Sequence, residues 1–149
     1  MGLKEKLSSE IVKATKEGDK VRLQTIRTLR AQLLEKEIEK RPNQLTPEEE
    51  LGVLTSAAKK RKESIELFEK GGRQDLADNE KRELIIIEEY LPKQLSNEEV
   101  EQIINRIIKE SGISSAKDFG KVMPLVMKEL KGKADGKFIS ESVKKFLES

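Results

Sequence analysis

Residues 131–137, Lys-Gly-Lys-Ala-Asp-Gly-Lys, carry the chemistry that stands out in this chain. Lys131, Lys133 and Lys137 are cations on a short glycine-containing segment, and Lys128 lies just upstream. Lysines beside free backbone N–H groups at a helix start can hold phosphate oxygens. Gly132 suits the stop of one helix and Asp135 the cap of the next, so two helix ends meet among these cations. The plainer alternative is a tight helix–helix connection whose glycines serve backbone geometry and whose lysines are only solvated. The segment is not a nucleotide P-loop. Gly132-x-x-x-Gly136-Lys137 has the wrong spacing, Phe138 stands where Ser or Thr is needed, and no strand precedes it.

Other candidate sites are weaker. Lys59-Lys60-Arg61-Lys62, with Lys70 and Arg73 nearby, puts four consecutive cations on a helix, where they spread around the axis. Glu63, Glu66 and Glu69 follow at pairing distance, which favours a solvated face over RNA or ribosome contact. Arg22, Arg27 and Arg30 read as surface pairs with the glutamates of their own helix. Tyr90, the only tyrosine, reads as a packing residue with its hydroxyl reaching solvent or backbone. Ser8-Ser9 and Ser114-Ser115 invite comparison with serine amidases. However, Ser114-Ser115 is explained as a helix cap, and Ser8-Ser9 lies on an amphipathic helix with no pocket implied.

Composition removes whole classes of chemistry. The 149 residues contain no Cys and no His. Disulfides, thiol nucleophiles, Ser-His-Asp and Cys-His mechanisms are therefore excluded, and a zinc site would need carboxylates alone. No metal and no cofactor is expected. Charged residues make up 39% and aromatics only 3%, so the core must be built from Leu, Ile, Val and Met. The net charge of +2 imposes no whole-chain attraction for nucleic acid. No apolar run approaches the roughly 20 residues of a membrane span, and the mixed-charge amino terminus lacks the apolar stretch of a secretion signal. A cytoplasmic protein with no membrane partner is the expectation.

The elements that must position the candidate residues are helices. Leu3, Leu7, Ile11 and Ala14 line a first helix that Gly18 stops and Asp19 follows as a cap. A second runs to about Lys40 with Val21, Ile26, Leu29, Leu33, Leu34 and Ile38 on one face, and Pro42-Asn43 breaks it. Thr46-Pro47-Glu48-Glu49 is a capping box for a third, on Leu51, Leu54, Ala57, Ala58, Ile65 and Phe68, which ends at Gly71-Gly72. A fourth spans Gln74 to Tyr90. Leu84–Ile87 could be a strand on local propensity, but its acidic flanks and helical surroundings favour helix.

Tyr90-Leu91-Pro92 closes this half, and a boundary is placed near Lys93, giving domains 1–93 and 94–149. Ser96-Asn97-Glu98-Glu99 boxes a fifth helix on Val100, Ile103, Ile104 and Ile107. Ser115-Ala116-Lys117-Asp118 boxes a sixth, with Phe119, Val122, Met123, Val126, Met127 and Leu130 as its buried stripe. Lys121 and Lys128 fall off that stripe, and Pro124 predicts a kink. A last helix runs from Asp135 to about Leu147. The fold class is all-α: long amino-terminal helices plus a small carboxy-terminal three-helix domain.

Tyr90-Leu91-Pro92 with Leu95-Ser96, then Gly120-Lys121-Val122-Met123, then Lys131-Gly132-Lys133-Ala134-Asp135-Gly136, resemble the signature of YqeY-like proteins. The same carboxy-terminal pattern is similar to the tail domain of the B subunit (GatB) of tRNA-dependent Asp/Glu-tRNA amidotransferases. The resemblance implies a tail-type domain that touches tRNA. The domain that phosphorylates the tRNA-linked carboxyl group and the amidase subunit that supplies ammonia have no counterpart in these residues. A carbon–nitrogen ligase with glutamine as amide donor is therefore the weakest expectation, and no catalytic residue is assigned. The leading expectation is a non-catalytic accessory protein for tRNA or other structured RNA. Lys117, Lys121, Lys128, Lys131, Lys133 and Lys137 would meet phosphates, and Gly120, Gly132, Asp135 and Gly136 would shape the site. The alternative is a helical adaptor for a protein partner in translation or amidotransferase assembly.

Overall fold

The computed structural model describes residues 2–148, in seven α-helices with no strand among them. The protein is all-α. The described residues fall into two compact units that divide between Leu91 and Pro92.

The first unit holds α1 (Leu3–Glu17), α2 (Lys20–Lys40), α3 (Pro47–Lys70) and α4 (Gln74–Glu88). Its helix ends follow local chemistry. Gly18 ends α1 in the left-handed region at φ 72°, and Asp19 accepts a hydrogen bond from the Arg22 N–H to open α2. Thr46 and Glu49 bond each other's backbone N–H in a full capping box, with Pro47 in the first turn of α3. The 84–87 stretch is helical, inside α4. α2 packs against α1, α3 and α4, and its Ile26, Leu29 and Leu33 lie at the centre of a core with Leu7, Leu54 and Ile87. Two positions differ from the periodic reading. Ile38 is 50% exposed, and Val53 rather than Leu51 reaches the buried class on α3.

The second unit holds α5 (Asn97–Ser111), a 3-10 turn (Ala116–Asp118), α6 (Phe119–Leu130) and α7 (Gly136–Glu148). Each helix sends three side chains into one core at steps of four and three or four: Val100, Ile104 and Ile107; Val122, Val126 and Leu130; Ile139, Val143 and Leu147. Ser96 caps α5 through the Glu99 N–H. The start of α6 departs from the sequence reading. Ser115 accepts from the Lys117 N–H and so caps the 3-10 turn, and α6 itself begins at Phe119 without a side-chain cap. α6 runs through Pro124 as one helical element.

Candidate functional site

Lys131–Lys137 is a short connection whose backbone is tied at both ends. The Lys131 N–H donates to the Met127 carbonyl (3.0 Å) and the Lys133 N–H to the Leu130 carbonyl (2.9 Å), which closes α6. Between them Gly132 is buried at φ 80°, a region that side chains with a Cβ avoid. The Asp135 carbonyl accepts the Ile139 N–H at 3.0 Å and opens α7.

A second segment braces this connection. The Gln94 side-chain Nε2 donates to the Gly132 carbonyl at 2.7 Å and to the Pro92 carbonyl at 2.8 Å. The Leu95 N–H donates to the Lys133 carbonyl at 2.9 Å. Two carbonyls flanked by lysines, one on a buried glycine, thus find donors that the loop itself does not provide. Sequence reasoning missed Gln94. A glutamine between Pro92 and Leu95 has no periodic or capping signature, and its partner lies 38 positions away.

Lys131, Lys133 and Lys137 are exposed, as are Lys128 on α6 and Lys117 on the 3-10 turn. None of these five has a carboxylate at ion-pair distance among the described residues. Lys121 is exposed too, with Nζ 3.5 Å from Asp118 Oδ1. Glu129, the acid nearest Lys128 in sequence, is instead engaged by Arg106 Nη2 at 2.5 Å. The six lysines do not form one cluster. Lys131, Lys133 and Lys137 share the loop and the start of α7, with Lys128 a turn earlier. Lys121 lies near the other end of α6, about 15 Å along the axis from Lys131 at the helical rise, and Lys117 lies before it in the 3-10 turn. Gly120 is exposed in the first turn of α6, and Gly136 is exposed at the start of α7. The net charge resides here: residues 92–149 hold 11 Lys and Arg against 9 Asp and Glu, whereas residues 1–91 hold 19 against 19.

The cations of the first unit are differently placed. Arg61 is only 12% exposed, with Nε 2.8 Å from Glu83 and 3.4 Å from Glu80 on α4. Lys70 pairs with Glu66 and Arg73 with Asp75. Arg22 does not pair within its own helix, as periodicity suggested. It bonds Glu10 of α1 at 2.9 Å and Glu89 after α4 at 2.6 Å. Burial alone would lower its pKa, but the bonds to Glu89 and Glu10 outweigh that and hold the guanidinium firmly charged. Arg30 Nε donates to Ser8 Oγ at 2.9 Å, so Ser8 is a structural partner. Tyr90 packs on the core, and burial first, then the charge of Glu10, pushes its hydroxyl pKa up. A cleft of about 710 Å³ opens between α2 and α3, with Leu45, Val53 and Ala57 in its lining. Among the described residues no group of carboxylates is placed to hold a metal ion, and no helix is long and apolar enough to cross a membrane.

A family model described as Yqey-like protein matches residues 4–147. The chain belongs to the YqeY-like family. A comparison with curated proteins gives no match. The family match spans both units, so the four-helix unit and the lysine-bearing unit are parts of one YqeY-like chain.

Proposed function

We propose that this protein is a non-catalytic, cytoplasmic accessory protein that binds tRNA or other structured RNA through its carboxy-terminal unit. The observation that carries the reading is the set of exposed lysines 128, 131, 133 and 137, which have no carboxylate partner among the described residues and lie on or beside a connection fixed by Gln94 and Leu95, with Lys117 likewise unpaired before the other end of α6. Cations held on a rigid frame and left unpaired suit an external anion. The similarity of residues 90–137 to the tRNA-touching tail of the amidotransferase B subunit points to the same ligand. Phe119, Phe138 and Phe146 are all partly buried against the core, so few aromatic faces are free to stack bases. Recognition would rest on phosphates and helix shape, with little sequence preference.

The test is binding of the full chain to bulk tRNA over a salt series, beside a variant carrying Lys131→Glu, Lys133→Glu and Lys137→Glu. Each phosphate neutralised contributes about −0.9 to the slope of log K against log salt on a duplex. The variant should lose affinity and flatten the slope by about 2–3 units. An unchanged slope sinks the reading.

The cleft between α2 and α3 supports a second reading, a helical adaptor for a protein in translation. A stoichiometric partner recovered after nuclease treatment, and lost on substituting the exposed cleft residue Ser56 by Glu, would favour it.

A further inference from the structure

One face of α3 carries a hollow at one end and a projecting leucine at the other. The hollow is the cleft beside α2, where Gly52, Val53, Ser56 and Ala57 form the α3 wall. The leucine is Leu67, 69% exposed, the most exposed large hydrophobic side chain among the described residues. Val53, Ser56, Lys60, Glu63 and Leu67 follow one another at steps of three and four, so they share one strip of the helix within about 80° of arc. Apart from Val53 they are exposed.

Such spacing belongs to a seam between two helices, yet most of this strip has no helix against it. The core cluster of the first unit takes no residue between Ala58 and Leu84. The charges of the strip are also unused. Neither Lys60 nor Glu63 makes an ion pair among the described residues, whereas Arg61 between them faces Glu80 and Glu83.

Two copies of the strip fit each other antiparallel. A two-fold axis between Arg61 and Lys62 sets Lys60 opposite the second copy's Glu63, and by symmetry Glu63 opposite its Lys60. In the same register Leu67 falls opposite the second copy's Ser56, on the cleft wall. Gly52 falls opposite its Gly71, where the other helix has ended. A Cβ built on Gly52 meets no atom within 4 Å, so the chain's own packing leaves room there. The projecting leucine thus meets small residues above the apolar cleft floor, and each unpaired charge meets its opposite. Sliding by one turn destroys the match, because it sets Lys60 on Lys60 in one direction and Glu63 on Glu63 in the other.

We propose that the strip from Val53 to Leu67 is a self-association surface, on which a second copy of this chain docks antiparallel with its Leu67 in the α2–α3 cleft. The leucines provide the attraction, and the Lys60–Glu63 pairs, which are worth little in energy when exposed, set the register. A seam of two heptads is small, so the dimer is a reversible one. The surface lies wholly on the first unit and does not depend on the RNA-binding reading.

Sedimentation equilibrium of the full chain over a concentration series tests it. Wild type should show a reversible monomer–dimer equilibrium. Leu67→Glu should weaken association at least about 10-fold, because each dimer loses two buried leucines. Lys60→Glu and Glu63→Lys each set like charges opposite one another, so each alone should associate more weakly than wild type. An equimolar mixture of the two should form a heterodimer, since every pair across the seam is then opposite in charge. A wild-type chain that stays monomeric throughout the series overturns the proposal and leaves the cleft to a different protein. A dimer that Leu67→Glu leaves unchanged overturns it too, as do single charge variants that gain nothing on mixing.

Discussion

Arg61 and Lys131 are both cations on or beside a helix, yet their surroundings are opposite. Arg61 is mostly buried between α3 and α4, faced by Glu80 and Glu83. Lys131 is exposed at the end of α6 with no carboxylate beside it among the described residues. The contrast extends across each unit. In the first, Arg22 joins α1 to the end of α4 and Lys81 joins α4 to α3, so charges cross-link helices. In the second, one ion pair links helices, Arg106 of α5 with Glu129 of α6, and both its side chains are about half exposed; the hydrophobic core otherwise holds α5, α6 and α7 together, and the loop is fixed by uncharged hydrogen bonds from Gln94 and Leu95. Charge thus contributes to structure in one unit and remains available in the other. Exposed pairs are worth little to stability, so the distinction lies in burial rather than in the number of pairs.

The sharpest way to break the comparison is to remove one cation from each side. Arg61→Met leaves Glu80 and Glu83 facing each other without a counter-charge. It should destabilise the first unit by about 2 kcal/mol, between the values for exposed and fully buried pairs. Tyr90 is the only tyrosine and the chain has no tryptophan, so intrinsic fluorescence during urea unfolding reports on that unit. Lys131→Met with Lys133→Met keeps the aliphatic stems and should change stability by no more than about 0.5 kcal/mol. Equal effects from the two variants would abolish the contrast.

Gln94→Ala tests whether the loop is held or merely exposed. It removes donors to the Gly132 and Pro92 carbonyls and should cost about 1–2 kcal/mol. The loss should appear as faster amide exchange at Leu95, whose N–H bonds the Lys133 carbonyl, before the core amides of α5 respond. Uniform loss of protection across α5, α6 and α7 would show that Gln94 supports the whole unit instead of the loop.

What the sequence made legible is what local chemistry controls. Gly18, Asp19, Thr46 and Ser96 mark helix ends because their conformations or side-chain bonds act within a few residues. The three core triads of the second unit follow from helical period alone. Pairings set by tertiary packing were not legible. Arg22 and Arg61 have glutamates near them in sequence, but their observed partners are on other helices, brought close by the hydrophobic cores. The same holds for Gln94 and Gly132. Ser115 shows a local miss: a Ser-x-x-Asp pattern fits both a 3-10 turn and a full helix start, and the turn won here. At the candidate site, the lysines and glycines were visible, whereas the brace that holds them was not.

The smallest effect concerns how the first unit tolerates its own buried charges. Burial is the main cause that raises the pKa of Glu80 above its ordinary 4.5, and the charge of Glu83 adds to it, with Arg61 opposing. A carboxyl whose folded pKa is raised binds its proton more readily in the folded state. Its contribution favours folding below 4.5 and is lost as pH rises through the folded value. Glutamine copies the neutral form at every pH. Glu80→Gln should therefore gain stability relative to wild type as pH goes from acidic to neutral, by less than about 1 kcal/mol because Arg61 still offsets part of the burial. Glu49 and Asp75, whose pKa values are lowered, give the opposite dependence in both proteins and cancel in the difference. Urea midpoints followed by tyrosine fluorescence at several pH values would measure it. If the variant instead loses ground as pH rises, the charge of Arg61 dominates Glu80, and the carboxyl is a net stabiliser of the α3–α4 contact.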